Sequence, residues 1–190
     1  MFRELGRFAQ VAKLHKEIAE MYEKESDLER SIQHFQEAAD FYIAEGQQAG
    51  ANPCLLRVAT MAAQLEDYDK AVGIYEQVSE GSIDNQLLHY SVKEYLMKAA
   101  LCRFANFKGA EKGLEDMKAH LERYQNLDVT FMDTREAKLL WSLYEAFEKS
   151  DVAVFQTAVA EFDRISRLDE WKTNILLRIK KKLEAEPDIT

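Results

Sequence analysis

The sequence predicts an all-α protein, an antiparallel α-solenoid in which consecutive helices pair into hairpins and the hairpins stack. Composition favours helices over strands, because seven glycines and two prolines among 190 residues are too few for a loop-rich or all-β chain. The commonest residues, which include alanine, glutamate, lysine and leucine, are those that long helices prefer. A third observation is a residue spacing that recurs about every forty positions, which is typical of stacked helical hairpins.

The recurring pattern places a small residue three positions after a bulky one, then a second bulky residue and a further apolar residue. It is clearest in the stretch LEDYDKAVGIYEQV. The three copies are Leu28, Ser31, Phe35 and Ala38; Tyr68, Ala71, Tyr75 and Val78; and Phe107, Ala110, Leu114 and Met117. One hairpin cannot bury such a stripe alone, so we expect tetratricopeptide-like hairpins to stack into one continuous core.

Apolar periodicity and helix-start signals predict nine helices along the chain. Ser26 with Glu29 and Asp133 with Glu136 have the spacing of capping boxes, and Asn52–Pro53 predicts the start of the third helix after a flexible link over 46–53. The nine helices are expected at residues 2–24, 27–45, 53–65, 67–79, 85–106, 109–125, 133–149, 151–166 and 168–184.

We expect residues 1–190 to form a single α-solenoid domain. Its repeat hairpins would occupy 1–125, and a C-terminal helical bundle with an acidic tail would occupy 126–190. The eighth helix retains a degraded copy of the repeat core that has lost its small residue, which is typical of a C-terminal helical cap.

Charge and apolar content exclude several functional classes. A formal net charge of -9 argues against a general nucleic-acid binder, since such proteins need a broad basic surface. Cys54 and Cys102 lie in apolar helical stretches without metal-ligand spacing, which predicts reduced core residues of a cytoplasmic protein. Trp141 and Trp171 are also expected in the core. No apolar run approaches the roughly 20 residues that a membrane span requires, so any membrane contact would arise by recruitment.

Signatures of catalysis and of metal or cofactor binding are absent from the sequence. It contains no glycine-rich phosphate loop, HExxH motif or nucleophile elbow. Four histidines, one in each of four helices, are expected to be ordinary surface or groove residues: His15, His34, His89 and His120. We therefore expect a protein that is not an enzyme, with no metal and no cofactor.

Several segments together resemble the α/β type of soluble NSF attachment protein. They are EIAEMYE, HFQEAADFY, NPCLLRVATMAAQLEDYDKAVGIYEQV, KAALCRF and ISRLDEWKTNILLRIKKKL. The resemblance implies a cytoplasmic adaptor that coats the four-helix SNARE bundle and recruits N-ethylmaleimide-sensitive factor, the hexameric ATPase that disassembles the bundle in vesicle fusion. Such an adaptor would be peripheral on vesicle, Golgi, endoplasmic reticulum or plasma membranes.

The family begins with several further helices, including an apolar loop that contacts membranes, and this chain begins where those helices end. Because Met1 leads almost directly into a helical stretch without a cap, the sequence favours a truncated start. Loss of the preceding repeats is expected to expose an apolar edge on the first helix.

The resemblance also implies two sets of binding residues. SNARE binding would use basic residues at positions that match the family: Arg7, Lys13, Arg57, Lys93 and Arg135. Pro53 departs from this pattern, because the family commonly has a lysine there. ATPase binding would use acidic residues and an apolar tip: Glu145, Glu148, Glu186, Asp188 and Ile189. Lys149 and Pro187 stand where the family has acids.

The repeat cores alone also permit a different function. A generic tetratricopeptide-type scaffold or co-chaperone would have the same spacing and would bind a linear peptide in its groove. The C-terminal run ISRLDEWKTNILLRIKKKL favours the SNARE adaptor, since a generic repeat protein has no reason to contain it.

Overall fold

A computed structural model describes residues 2–185, with the side chains of residues 7–109 and 112–185. This part of the chain forms nine α-helices and one short 3-10 helix, and it contains no strand. The α-helices are α1 (Phe2–Lys24), α2 (Leu28–Ala44), α3 (Gln48–Gln64), α4 (Tyr68–Ser82), α5 (His89–Ala105), α6 (Ala110–Leu127), α7 (Arg135–Glu148), α8 (Val152–Ile165) and α9 (Glu170–Ala185), and the 3-10 helix is Phe131–Asp133. The predicted all-α class of successive helical hairpins is confirmed.

Contacts divide the chain into two compact units, Met1–Ile74 and Tyr75–Thr190. In the first unit α2 packs against both α1 and α3. In the second unit α5 packs against α6, α7 and α9, while α8 packs against α7 and α9. The expected single domain, with repeat hairpins over 1–125 and a C-terminal helical bundle over 126–190, stays a prediction.

Four links between helices have the same tight turn. The second residue after each helix has a left-handed backbone, with φ of 61° at Ser26, 70° at Gly46, 65° at Glu66 and 50° at Ser150. In each turn the N–H of that residue donates to the carbonyl three residues earlier, and the next N–H donates to the carbonyl five residues earlier. This Schellman arrangement satisfies two free carbonyls at the helix end. The turns after α1, α2 and α3 lie twenty residues apart. One hairpin contains two helices and two such turns, which gives the sequence period near forty.

Aspartates follow three of these four turns and begin the next helix. The Asp27 carboxylate accepts a hydrogen bond from the Arg30 N–H at 3.2 Å, and Asp67 accepts one from the Lys70 N–H at 3.3 Å. Asp151 accepts from two N–H groups at the start of α8. A cap of this kind satisfies N–H groups that the first helical turn leaves free.

Both predicted capping boxes are wrong. Ser26 has a left-handed backbone that ends α1, so the cap of α2 is the next residue, Asp27. Asp133 belongs to the 3-10 helix, and the cap of α7 is Thr134, whose hydroxyl accepts from the Ala137 N–H at 3.1 Å.

The predicted start of the third helix is also wrong. α3 begins at Gln48, so both Asn52 and Pro53 lie inside it and the link is limited to 45–47. Gly50 makes this early turn possible, because a Cβ there would lie 2.8 Å from Cδ1 of Tyr42 on α2. The absence of a side chain lets the first turn of α3 approach that ring closely. The cost of Pro53 is limited to one helical hydrogen bond and a local distortion on an exposed face.

Two further helix boundaries differ from the prediction. α4 continues through Gly81 to Ser82, and α5 begins only at His89. Between them Asn85 forms a turn, since its side chain accepts from the Leu87 N–H at 3.0 Å and its carbonyl accepts from Leu88 and His89.

The repeat pattern marks the core, as predicted. Tyr68 is 7% exposed, and Ala71 and Tyr75 are completely buried. The other described members of the three copies are buried or half-buried. Trp171 is buried with its ring edge against Tyr75 at 6.2 Å, whereas Trp141 is only half-buried, so its predicted place in the core is wrong.

Both cysteines are buried and free of disulfide bonds, as expected of reduced core residues. Burial raises the pKa of the Cys102 thiol to about 12, and it also raises the pKa of Cys54 above its ordinary value. Among residues 2–185, no helix combines the length and apolar character that crossing a bilayer requires.

Candidate binding surfaces

The predicted cations are divided between the two units. Arg7, Lys13 and Arg57 belong to the first unit, whereas Lys93 and Arg135 belong to the second.

Arg57 on α3 lies in an open depression of the first unit. Its guanidinium forms an ion pair with Glu23 of α1 and lies 5.8 Å above the ring of Phe35. Two further lysines of α1, Lys16 and Lys24, line the same depression. The sequence analysis missed these lysines, although their spacing of eight residues places them near one face of α1. The depression therefore combines three cations with two carboxylates, those of Glu20 and Glu23, beside the apolar side chains of Phe35 and Pro53.

Arg7 and Lys13 are exposed on α1, and Arg7 lies on a helix face that also displays apolar side chains. Leu14, Ile18 and Met21 are 58%, 38% and 61% exposed, at spacings of four and three residues. Exposed apolar side chains therefore follow one face of α1, while the predicted loss of preceding repeats stays a prediction. A stripe at this spacing is normally covered by another helix.

Lys93 on α5 is half-buried and has two partners in the second unit. Its Nζ lies 3.6 Å from Oε1 of Glu136 on α7 and 4.9 Å above the ring of Tyr90. Glu136 is only 9% exposed, so Lys93 neutralises a carboxylate that has lost most of its water. Lys93 therefore has a structural role in addition to any role in binding.

Arg135 at the start of α7 is exposed, and its Nη1 donates to Oγ of Ser166 at 3.3 Å. It lines a small pocket between α7 and α8 together with Lys138, Glu161 and the apolar side chain of Ile165. Lys138 was missed by the sequence analysis. It follows Arg135 by three residues, a spacing that places two side chains on one face of a helix.

A cluster of two lysines and two acids lies beside Trp171, and the sequence did not predict it. Lys98 on α5 lies 5.2 Å above the Trp171 ring, and Lys172 on α9 lies 2.7 Å from Glu94 and 3.3 Å from Asp169. Burial lowers the pKa of Lys172, but its bonds and charge interactions with Glu94 and Asp169 outweigh burial and raise the pKa above its ordinary value. The ion pair of Lys172 with Glu94 joins α9 to α5.

A network of charged residues joins α4, α5 and α6. Glu76 accepts hydrogen bonds from the Tyr124 hydroxyl at 2.5 Å and from Arg103 at 2.7 Å, and it pairs with Arg123 at 3.2 Å. Burial raises the pKa of Glu76, but these hydrogen bonds and charges outweigh burial and lower the pKa below its ordinary value. Burial raises the pKa of Tyr124. The network holds its charges in fixed states, so it suits stability rather than proton transfer.

The predicted ATPase-binding acids are only partly described. Glu145 is exposed on α7 and accepts a hydrogen bond from Lys149 one turn later at 2.5 Å, while Glu148 is exposed on the same helix. Glu186, Asp188 and Ile189 lie outside the described residues. The two described acids lie in the last turn of α7, where a lysine partly neutralises them.

The histidines differ in their surroundings. His89 contacts Asp128 at 3.1 Å. Burial, followed by the charge of Arg103, lowers the pKa of His120 below its ordinary value. His15 of α1 and His34 of α2 lie together beside Glu37, an arrangement that the sequence analysis did not predict.

Taken together, the fold and these surfaces define a helical-hairpin repeat protein with clusters of charged side chains on its described residues. The chain belongs to the soluble NSF attachment protein family, since the family described as "Soluble NSF attachment protein, SNAP" matches residues 1–184. The predicted resemblance is therefore confirmed.

Individual relatives agree with this assignment. The chain is 45% identical to the beta-soluble NSF attachment protein of Bos taurus over 98% of this chain and 61% of that protein. It is 44% identical to the alpha-soluble NSF attachment protein of Mus musculus over 99% of this chain and 62% of that protein. It is 41% identical to the vesicular-fusion protein SEC17 of Coprinopsis cinerea over 97% of this chain and 63% of that protein. The chain thus spans about three fifths of the length of these relatives.

The names of these relatives describe attachment and fusion proteins, and none describes an enzyme. The expectation that this chain is not an enzyme agrees with its family.

Proposed function

We propose that this chain acts in vesicle fusion and intracellular protein transport as an adaptor. It binds SNARE bundles and recruits and stimulates N-ethylmaleimide-sensitive factor, which then disassembles them. The chain would work in the cytoplasm and would reach vesicle, Golgi, endoplasmic reticulum or plasma membranes by recruitment. The observation that carries this proposal is the family match over residues 1–184, together with relatives whose names describe NSF attachment and vesicular fusion.

The distribution of charge supports the SNARE part of the proposal. Although the net charge is -9, exposed or half-exposed cations recur at the five predicted positions. Arg57 lies beside two lysines and two glutamates, and Arg135 lies beside one lysine and one glutamate, so in each place the cations outnumber the carboxylates by one. An acidic helical bundle would be attracted by such local fields even though the whole chain is acidic.

Charge reversal at Lys93 and Arg135 tests the SNARE-binding surface. We expect Lys93→Glu with Arg135→Glu to abolish co-precipitation of a folded SNARE bundle, and wild-type binding to weaken as salt is raised. Because Lys93 neutralises buried Glu136, its reversal also places two carboxylates together and threatens the fold. Lys93→Gln with Arg135→Glu is therefore the milder variant, with circular dichroism as the check on folding.

Lys118→Glu with Lys181→Glu is the matched control. Both residues are exposed, and neither lies among the predicted positions. The control carries the same charge change as Lys93→Glu with Arg135→Glu and should retain SNARE binding. Equal binding by all of these variants, insensitive to salt, would reject the surface.

A separate experiment tests the C-terminal tip. Deleting residues 187–190 or introducing Ile189→Ala removes an apolar anchor whose burial against the ATPase would contribute about 1.5 to 3 kcal/mol, or more than a tenfold change in affinity. SNARE binding should be unchanged while ATP-driven disassembly falls. Equal disassembly rates would show that the tip has no role, and a joint loss of both activities would indicate misfolding.

A peptide-binding scaffold is the alternative, and one feature of the second unit favours it. An apolar depression between α8 and α9 is lined by Phe155, Val159, Leu176 and Leu177, and Leu177 is 53% exposed. Capture of linear peptides instead of a folded SNARE bundle, lost on Leu177→Glu, would support this alternative over the adaptor.

A further inference from the structure

Three side chains that can bind metal lie together on the first two helices. Nδ1 of His15 on α1 lies 3.0 Å from Nδ1 of His34 on α2 and 3.0 Å from Oε2 of Glu37 on α2. One donor atom from each residue can be chosen so that all three lie within 4.8 Å of one another. The group therefore brings two imidazoles and one carboxylate to one point between two helices.

Hydrogen bonds alone cannot pair all of the facing nitrogen and oxygen atoms in this group. A neutral imidazole has one N–H donor and one acceptor nitrogen, and a carboxylate only accepts. If Nδ1 of His15 carries a proton, that one proton is shared between His34 and Glu37. If it does not, its lone pair faces the carboxylate of Glu37. A cation at the centre would be attracted by all three lone pairs at once.

The surrounding side chains hold the three donors in place. The His34 ring is stacked on Tyr22, with centroids 5.6 Å apart and planes 9° apart, and the His15 ring is stacked on Phe41 at 5.7 Å. Oε1 of Glu37 accepts a 3.4 Å hydrogen bond from Gln33, which leaves Oε2 directed toward His15. Fixed ring and carboxylate orientations of this kind are what metal sites in proteins use to position their ligands.

We propose that His15, His34 and Glu37 bind a divalent transition-metal ion, with zinc as the first ion to test. Zinc bonds to histidine nitrogen and carboxylate oxygen are about 2.0 to 2.2 Å long, so tetrahedral donors lie roughly 3.3 Å apart. The two 3.0 Å separations need only a small adjustment to reach this spacing. Two imidazoles favour zinc, copper or nickel over calcium and magnesium, which prefer oxygen ligands.

The site is open to solvent, and its ligands come from both helices of the hairpin. The side chains of His15 and Glu37 are 22% and 41% exposed, so an ion can enter and the fourth position stays open to water or to a partner. The ligands come from both helices, so the bound ion links α1 to α2 and stabilises the hairpin against opening. Binding that occurs only in the folded state raises its stability by mass action.

Calorimetric titration of the untagged chain with Zn²⁺ at neutral pH tests the proposal. We expect one ion per chain and a higher melting temperature when zinc is in excess. His34→Ala and Glu37→Gln should each weaken binding at least tenfold and remove the thermal shift. Glu37→Gln is the more conservative of the two, since it preserves the shape of the side chain and the stacked rings.

His89→Ala is the matched control, because His89 and Asp128 form the other histidine–carboxylate contact in the described residues, at 3.1 Å. This variant should bind zinc as the wild type does. Absence of zinc binding by the folded wild type, or equal binding by wild type, His34→Ala and Glu37→Gln, would overturn the proposal. Loss of binding in His89→Ala alone would move the site to the second unit and overturn it as well.

Discussion

The first and second units stabilise their helices in different ways. In the first unit, small side chains let α1, α2 and α3 approach closely, and the completely buried residues include Ala12, Ala19, Ala38, Ala59 and Ala71. One buried hydrogen bond, from Oγ of Ser31 to the Ala19 carbonyl at 2.8 Å, joins α1 to α2.

The second unit contains larger core residues and a charged network. Tyr75, Phe104, Tyr124 and Phe131 are at most 1% exposed. The network centred on Glu76 crosses from α4 to α5 and α6 beside them. The stability of the first unit should therefore be most sensitive to added side-chain volume, because closely packed helices cannot accommodate extra atoms without strain. The stability of the second unit should be most sensitive to changes of charge, because a buried charge without its partner is costly.

The largest expected effect comes from removing one partner of the charged network. Arg103→Met leaves Glu76, whose side chain is 14% exposed, without its closest cation, which should lower the free energy of unfolding by about 3 kcal/mol. Tryptophan fluorescence in urea suits the measurement, since both tryptophans belong to the second unit. Arg167→Met is the control: that ion pair is largely exposed and should contribute about 0 to 1 kcal/mol. Similar losses in both variants would refute the distinction.

A somewhat smaller effect is expected when Glu76 becomes neutral. Because the pKa of Glu76 is lower in the folded chain than its ordinary 4.5, the contribution of the carboxylate to stability is fully present above that value. It is lost as the pH falls through the folded pKa. Glu76→Gln should therefore cost about 1.5 to 3 kcal/mol at neutral pH, and the difference from wild type should shrink in acid. Urea unfolding at several pH values measures it, and a pH-independent difference would contradict the assignment.

The first unit should respond most to added volume. Ala71 is completely buried at the small position of the repeat, so Ala71→Leu should overpack the helix crossing and cost about 1 to 3 kcal/mol. Thermal unfolding followed by circular dichroism measures the effect. Gly73→Ala is the control on the same helix, since a Cβ there meets nothing within 4 Å and alanine favours a helix. An unchanged melting curve for Ala71→Leu would count against the repeat assignment.

The smallest effect is expected at the turns that both units share. Ser26→Gly in the first unit and Ser150→Gly in the second should remove the steric strain of a left-handed backbone. Glycine also increases the conformational entropy of the unfolded chain, so the free energy of unfolding should rise by only about 0.5 kcal/mol. Gly46→Ala introduces the strain and should cost about 1 kcal/mol. Melting temperatures of the three variants test these signs. A loss of stability in both serine variants would show that their hydroxyls matter more than the backbone.

The sequence predicted the features that depend on periodicity. The burial of Tyr68, Ala71 and Tyr75 follows from the repeat spacing, because a helix brings residues three and four apart onto one face. Helix starts were harder to predict. Ser26 and Asp27 are both good capping residues, and only the left-handed turn at Ser26 decides between them. The start of α3 depends on the contact of Gly50 with a ring on another helix, which local sequence does not reveal.

The candidate sites depended still more on tertiary contacts. Family resemblance identified Arg57, but its pairing with Glu23, thirty-four residues away, follows only from the packing of helices. His15 and His34 are nineteen residues apart and meet because the hairpin aligns their positions. The one local signal was the three-residue spacing of His34 and Glu37, which places both side chains on one face of α2.

The two buried cysteines allow local unfolding of each unit to be measured separately. A maleimide reacts with a thiolate that it can reach. Cys54 and Cys102 are both buried, and burial also raises their pKa values, so neither thiol is accessible or ionised in the folded chain. The folded chain should therefore resist a reagent that alkylates accessible thiols on other proteins in the same mixture. Cys54 lies in the first unit and Cys102 in the second. The rate at which each becomes labelled on warming thus measures how often α3 or α5 opens by itself.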